Sequence, residues 1–329
     1  MLIRFFRSSQ PGLIFLIPGF ALLWFVPIAL SPAESFIEMP QHAMPVYEWL
    51  ATAIGKLPFI VQLIISWVLI SAQAIYLNQL IIKYELFPRL NFLPALFFVT
   101  LSVLFPEMMK IQPALFVNFI LIFVLDKIFR MYKNPEPLRE VFDCSFLLAV
   151  AMLLQSSSIA FYFFLLLSLV ILLPFYWRTW VISLIGFALP FYFISIYFFW
   201  IDRLGIFWNL KLPAAFTFIP VVLLKFNTGQ LAVSLLVFLI MVFSLRSVAK
   251  HFYKNIIRTR RFFQINLALL ITGFASILFT AAVTLQSLVP LLIPVSVLFT
   301  HYFLHIKKIA LADFLFTALV CLIILIRFT

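Results

Sequence analysis

Long apolar runs, separated by short polar stretches, follow one another along the whole chain. A transmembrane helix needs about 20 consecutive and mostly apolar residues. The runs predict about eleven spans, at residues 12–31, 58–81, 92–106, 112–129, 142–156, 158–175, 179–200, 230–245, 264–285, 287–304 and 310–326. The third, fifth and eighth runs are too short for a perpendicular span. We expect them to thin the bilayer, to extend into polar flanks or to be half-buried in protein.

The composition supports lipid as the solvent for most of the surface. Hydrophobic residues make up 65% of the 329 residues and charged residues 10%, with a mean hydropathy of +1.18. A soluble globular domain is about half apolar and about a quarter charged. The predicted fold class is therefore all-α: a polytopic transmembrane helical bundle that forms a single domain over residues 1–329.

Lysine and arginine are unevenly divided between the two sets of predicted loops. With a cytoplasmic N-terminus, 17 of the 23 fall in cytoplasmic loops and six in external ones. Because these residues are retained in the cytoplasm, the division predicts a basic cytoplasmic loop at 246–263 and external amphipathic loops at 32–57 and 201–229. The apolar stretch 213–224 is too short to cross and is predicted to be re-entrant or interfacial. The first run lacks a small-residue cleavage site, which predicts an uncleaved span.

The net charge of +12 is explained by this topology, and it does not indicate nucleic-acid binding. The stretch 246–261 places six Lys or Arg residues beside a span. Such clusters attract anionic phospholipid headgroups, so membrane lipids are the predicted partners. A cytoplasmic docking site for a protein of an envelope complex is the alternative.

The first external loop carries two helix signals. Ser31, Pro32 and Glu34 have the form of an N-cap, a first-turn proline and a capping-box glutamate, which would place Glu34 and Glu38 on one helix face. A second short helix is predicted to begin near Pro45 and to lie in the membrane interface, with an apolar face made of Val46, Trp49, Leu50, Ala53 and Ile54.

The predicted external acids are candidates for chemistry, namely Glu34, Glu38, Glu48, Glu107 and Asp202. The simplest interpretation of Glu34 is a helix cap. Glu38 and Glu48 would then be solvated charges, and Glu107 would be a turn carboxylate near Lys110. The functional hypothesis is that one of these acids is a general base, or a ligand for a divalent ion, at a membrane-surface active site. Within the bundle, Gln62, Ser66 and Gln73 form a stripe that either bonds helices together or lines a path for lipid headgroups.

Other polar residues have simpler interpretations. Asp126 and Arg130 are four residues apart, which predicts an ion pair. His301 and His305 have the spacing of a metal pair, but no third ligand is near in sequence, so no metal site is predicted. Cys144 and Cys321 make no metal spacing. The sequence contains no phosphate-binding glycine loop and no Ser-His-Asp pattern.

Four stretches resemble a family of polytopic Bacteroidota membrane proteins catalogued as a domain of unknown function. They read LNQLIIKYELF at 77–87, FDCSFLLAVAMLL at 142–154, WRTWVISLIGFALPFYF at 177–193 and IPVSVLFTHYFLHIKK at 293–308. This resemblance implies the inner membrane of a Gram-negative bacterium and brings no assigned activity.

The order of spans and external loops also resembles the GT-C class of glycosyltransferases. Those enzymes take sugars from polyprenyl-phosphate carriers, and their catalytic carboxylate usually lies in the first external loop. The resemblance implies Glu38 or Glu34 as the base, Glu107 as a second carboxylate, a divalent cation where such enzymes use one, and phosphate contacts from Arg203 or Lys211, with Gln62 and Gln73 along the lipid path. The first loop here has no aspartate and no adjacent acidic pair. A non-catalytic subunit of an envelope or secretion assembly, or a transporter, is the competing hypothesis.

Overall fold

The computed structural model describes residues 6–7, 12–30, 35–40, 43–87, 90–134, 136–206, 208, 227–280, 283–306 and 308–328. Within these ranges the chain is helical, with no strand. The helices are α1 (Leu13–Leu30), α2 (Pro45–Gly55), α3 (Phe59–Lys83), α4 (Leu93–Ser102), α5 (Pro106–Met109), α6 (Pro113–Arg130), α7 (Leu138–Leu154), α8 (Ala160–Leu172), α9 (Trp177–Trp200), α10 (Thr228–His251), α11 (Ile257–Leu278), α12 (Leu292–His305) and α13 (Ile309–Phe328). Short 3₁₀ turns precede α8 and α12, at Ser156–Ile159 and Leu285–Leu291.

Seven helices in the described part of the chain are long and apolar enough to cross a membrane. They cover Leu13–Leu30, Phe59–Lys83, Trp177–Trp200, Thr228–Lys254, Ile257–Leu278, Leu285–His305 and Ala310–Arg327. The predicted all-α class is therefore confirmed for the described residues, and the seven helices indicate a multi-pass membrane protein. The predicted re-entrant stretch 213–224 lies outside the described residues.

The three short apolar runs take different structures. The third forms α4, whose ten residues are all buried within the protein. The fifth extends into its polar flank, since α7 begins at Leu138 and includes Arg139, Glu140 and Asp143. The eighth is longer than its apolar run, because α10 continues for 24 residues up to His251.

Side-chain contacts define two ends of the helix bundle. At the first, which we call the basic end, Arg7 donates to the carbonyl of Leu304 at 2.8 Å, and Arg258 lies 2.5 Å from Glu85. The predicted pair of Asp126 and Arg130 is also found there, joined by Lys83 at 2.7 Å. At the opposite end, Arg327 donates to the carbonyl of Trp24 at 2.6 Å.

Helices α7 and α9 approach each other closely at Gly186. A Cβ atom placed on this glycine would lie 2.2 Å from Ser145 Oγ and 2.9 Å from the carbonyl oxygen of Phe142. Small residues allow the backbones of membrane helices to approach in this way. The backbone contact leaves no room for any side chain at position 186.

The expected first helix of the external loop is wrong over 35–40, which is non-helical. Ile37 instead pairs with Ile111 in an isolated parallel bridge, and these distant backbone partners replace the local bonds that a helix would need. Glu38 therefore does not share a helix face with Glu34, which itself lies outside the described residues. The second expected helix is confirmed as α2, with proline at its first position.

Candidate active site at the opposite end of the bundle

The segment 35–40 is fastened to the residues that precede α6. The backbone N–H of Ile111 donates to Phe36 O and that of Glu38 donates to Ile111 O, both at 2.9 Å. The hydroxyl of Tyr47 donates to the carbonyl of Glu38 at 2.6 Å. Burial, and then the charge of Glu38, raise the pKa of Tyr47, so this hydroxyl stays protonated and remains a donor. Glu38 is thereby held against Ile111 and α2.

The polar stripe of α3, made of Gln62, Ser66 and Gln73, also bonds to this part of the chain. Gln62 Oε1 accepts the N–H of Phe36 at 2.8 Å, while its Nε2 donates to Leu57 O at 2.9 Å. Ser66 donates to the carbonyl of Met109, and Gln73 donates to Leu115 O at 2.9 Å. All three side chains are buried and bonded to backbone. Their contacts join α3 to the segment 35–40, to α5 and to α6.

Replacing Gln62 with leucine should destabilise the protein by about 1–3 kcal/mol, because the buried N–H of Phe36 loses its acceptor. The exposed Gln79 of the same helix provides the matched control, and Gln79→Leu should be close to neutral. Thermal unfolding in detergent measures both. Equal melting temperatures for the two variants would mean that Gln62 does not hold the segment 35–40 in place.

Glu107 projects from the short helix α5 at the same end of the molecule. Pro106 starts this helix at its first position, where a missing N–H costs nothing. Glu107 Oε2 is buried and finds no hydrogen-bond partner among the described residues. A buried oxygen without a partner is unfavourable, which favours a ligand or an ion beside it.

Glu38 and Glu107 line one cavity of about 300 Å³. Its other lining residues are Ile37, Lys110, Thr284, Leu285 and Gln286. Gln286 Nε2 donates to Glu38 Oε2, whereas the buried Oε2 of Glu107 has no hydrogen-bond partner among the described residues. The volume is at the lower end of the range for small-molecule sites.

Five lining residues were not among the predicted site residues, and Lys110 and Gln286 are the two that bring a charge or a hydrogen bond to the carboxylates. Lys110 was expected only as a neighbour of Glu107 in a turn, but its side chain faces the same cavity. Gln286 precedes α12 in the 3₁₀ turn, 248 positions from Glu38, and no local pattern connects them. Nor did the sequence single out Tyr47, since a tyrosine in an amphipathic helix has no distinctive spacing.

The remaining predicted site residues are placed elsewhere or are not described. Arg203 is exposed after the end of α9 and is not one of the described residues that line the cavity. Gln62 and Gln73 lie behind the site in the bundle and do not line it. Glu34 and Lys211 fall outside the described residues.

The donor set of the cavity suits a hard cation or a hydroxyl group. Two carboxylates face one lysine, so the lining carries a net negative charge. Carboxylate oxygens are the ligands that Mg²⁺ prefers in proteins, and an unpartnered carboxylate oxygen can also accept a proton. An anionic group would therefore enter beside Lys110 or together with a cation.

At the basic end, a third histidine lies close to His301 and His305 in space, although none is near them in sequence. His251, at the end of α10, brings a third ring nitrogen close to them. Sequence spacing could not reveal it, because 50 residues and α11 separate His251 from His301.

No protein family, curated protein or solved structure was found to match this chain.

Proposed function

We propose that the chain is a multi-pass protein of the bacterial inner membrane, with about eleven crossings and a cytoplasmic N-terminus. Each predicted apolar run overlaps a helix, and two contacts place the start of α1 beside the end of α12 and the second half of α1 beside the end of α13. The excess of Lys and Arg near the basic end supports its assignment to the cytoplasm. The cavity lined by Glu38 and Glu107 then faces the periplasm.

This orientation predicts opposite labelling of two cysteines. Tyr253 is 84% exposed and Thr228 is exposed at the start of α10, so neither substitution disturbs the core. In a Cys321→Ala background, Thr228→Cys should react with an impermeant maleimide in intact cells, whereas Tyr253→Cys should react only after lysis. The buried Cys144 serves as the silent internal cysteine. Labelling of Tyr253→Cys in intact cells would reverse the orientation.

For activity, we propose a GT-C-like glycosyltransferase, or a handler of polyprenyl-phosphate lipids, that acts in the periplasmic cavity. The observation that carries this proposal is the cavity itself, in which Glu38 meets, beside Lys110, a Glu107 oxygen that has no partner among the described residues. A headgroup fits its volume, while the lipid chain would remain in the membrane. Lys110 takes the role of phosphate contact that the sequence assigned to Arg203 or Lys211.

The proposed reaction needs one base and one contact for the leaving phosphate. The hydroxyl oxygen of an acceptor bonds to the anomeric carbon of the sugar, and its proton passes to Glu107. The bond between that carbon and the phosphate oxygen of the carrier breaks, and polyprenyl phosphate leaves with the electron pair. Gln286 and Tyr47 keep Glu38 and its backbone in place, and Lys110 offsets the charge on the phosphate.

A divalent cation is compatible with this site. Glu38 and Glu107 offer carboxylate oxygens, and their excess of negative charge is the environment that Mg²⁺ or Mn²⁺ prefers. When bound, such a cation would neutralise phosphate charge.

Polyprenyl-phosphate glucose with a radiolabelled sugar provides the test. The purified protein, in nanodiscs, should bind this probe in native mass spectrometry. With a hydroxyl-bearing acceptor added, or with water as the acceptor, it should release label from the lipid fraction. Binding without release would indicate a lipid handler. If the probe does not bind either with or without Mg²⁺, both the glycosyltransferase and the lipid-handler proposals are contradicted. A non-catalytic envelope subunit would then be the better explanation.

We also propose that anionic phospholipid binds at the basic end. A cavity of about 490 Å³ there is lined by apolar residues in and after the end of α3 and by the polar residues Glu85, Asn91, Lys254, Asn255 and Thr259. The charge of Glu85 is offset by its ion pair with Arg258. This combination suits an acyl chain beside a charged headgroup. Lys254→Glu should reduce cardiolipin retention in native mass spectrometry. Unchanged retention would favour a protein partner at this loop.

A further inference from the structure

Three histidines gather at the basic end, from helices that are far apart in sequence. The ring centroids of His301 and His305 are 4.2 Å apart, and those of His251 and His305 are 4.5 Å apart. One ring nitrogen from each of the three lies within 4.8 Å of the others. The cluster is separate from the periplasmic cavity proposed above and does not depend on it.

Hydrogen bonds determine which nitrogen is available on two of these rings. His251 Nδ1 lies 2.9 Å from the carbonyl oxygen of Ser247, and His305 Nδ1 lies 2.8 Å from that of His301. A carbonyl only accepts, so each Nδ1 carries a hydrogen and each neutral ring keeps its lone pair on Nε2. Metal-binding histidines commonly donate their other N–H to a backbone carbonyl in this way.

His301 adds a buried nitrogen that has no described partner. The residue is 1% exposed, and its Nδ1 lies 3.4 Å from Ser247 Oγ. Its Nε2 is buried and makes no hydrogen bond within the described residues. The rings of Phe263 and Phe87 flank it, with centroids 5.2 and 6.5 Å away. Buried polar atoms are nearly always satisfied, so this nitrogen indicates a ligand.

We propose that His251, His301 and His305 bind a divalent transition metal ion, with Zn²⁺ as the best match. Imidazole nitrogen suits Zn²⁺, Cu²⁺ and Ni²⁺, whereas Mg²⁺ and Ca²⁺ require oxygen ligands. Three histidines and an open fourth position form a common zinc site. His305 is exposed and His251 half-buried, so an ion and a water can enter from the aqueous side.

The geometry needs only a small adjustment to take the ion. Bonds of about 2.0–2.1 Å in a tetrahedral site place ligand nitrogens roughly 3.4 Å apart. One nitrogen of each ring already lies within 4.8 Å of the other two, so rotations of exposed His305 and half-buried His251 toward His301 complete the site. The apolar wall behind His301 keeps competing water away from the ion.

The test is metal binding by the chelator-stripped, detergent-purified full chain. Calorimetric titration with Zn²⁺ should give one ion per chain, and Co²⁺ should give the intense visible absorption of tetrahedral coordination. His251→Gln and His305→Gln should each weaken Zn²⁺ binding at least about 10-fold. The fourth histidine of the sequence, His42, gives the control, and His42→Gln should bind as the wild type does.

A thermal shift separates lost binding from lost folding. Zn²⁺ should raise the melting temperature of the wild type, because a ligand that binds only the folded state stabilises it. His305→Gln, at an exposed position, should melt like the metal-free wild type and show no such rise. Equal Zn²⁺ affinity in the wild type, His251→Gln and His305→Gln would overturn the proposal, as would an octahedral Co²⁺ spectrum.

Discussion

Replacing Gly186 with leucine is expected to prevent α7 and α9 from packing and to reduce folded protein severely. The first added carbon would already lie 2.2 Å from Ser145 Oγ and 2.9 Å from the Phe142 carbonyl oxygen. Because one obstacle is backbone, no rotation of a side chain relieves it, and the helices must separate. Overpacking a core costs about 1–3 kcal/mol, and we expect about 3 kcal/mol or more here.

The control for this prediction is Gly19, where a Cβ meets nothing within 4 Å. Gly19→Leu should give wild-type yield and melting temperature, measured by size-exclusion chromatography and thermal unfolding in the same detergent. Gly186→Ala should have a yield and a melting temperature between those of the wild type and Gly186→Leu. Adding Ser145→Ala to Gly186→Ala should restore part of the lost stability by removing the hydroxyl. A Gly186→Leu protein that purifies and melts normally would show that α7 and α9 do not approach at this point.

Replacing Glu107 with glutamine should lower sugar transfer by about 10²–10⁴-fold, the usual contribution of a general base. Glutamine keeps the shape of the side chain but cannot take the proton of the acceptor. Folding should be unaffected or slightly improved, because the lost charge belongs to a buried oxygen with no described hydrogen-bond partner. Release of label from polyprenyl-phosphate glucose, together with the melting temperature, measures both effects.

Glu48→Gln is the matched control, since Glu48 lies in α2 and is not among the described cavity-lining residues. It should transfer sugar at the wild-type rate. Glu38→Gln should reduce transfer less than Glu107→Gln does, because Glu38 already shares a hydrogen bond with Gln286. If Glu107→Gln retains full activity while the protein remains folded, Glu107 is not the base.

Much of the helical framework could be predicted because each apolar run encodes its own helix. In lipid there is no water to bond the polar groups of the backbone, so an apolar segment satisfies them by forming a helix. The positions of α1, α3 and α9 therefore follow from composition alone. The pairing of Asp126 with Arg130 was equally accessible, since helical spacing puts them side by side. The burial of α4 could not be predicted, because an apolar sequence looks the same whether lipid or protein surrounds the helix.

The candidate site was only partly predictable, because its parts are held together by tertiary contacts. Glu38 and Glu107 were predicted to be external acids and they line one cavity, but the helix expected around Glu38 is replaced by backbone bonds to Ile111. Gln286 and His251 reach their partners through packing across the bundle. Such residues carry no local signal, because long-range contacts override local preferences.

Photo-crosslinking with a polyprenyl-phosphate probe that carries a diazirine in its sugar tests the central claim most directly. Peptide mapping should place the adducts on the residues around the cavity that Glu38 and Glu107 line, at 37–38, 107–110 and 284–286. An excess of unlabelled polyprenyl-phosphate glucose should abolish these adducts. Adducts confined to the basic-end cavity, at 81–91 and 254–259, or none that the unlabelled lipid displaces, would contradict a headgroup site between Glu38 and Glu107.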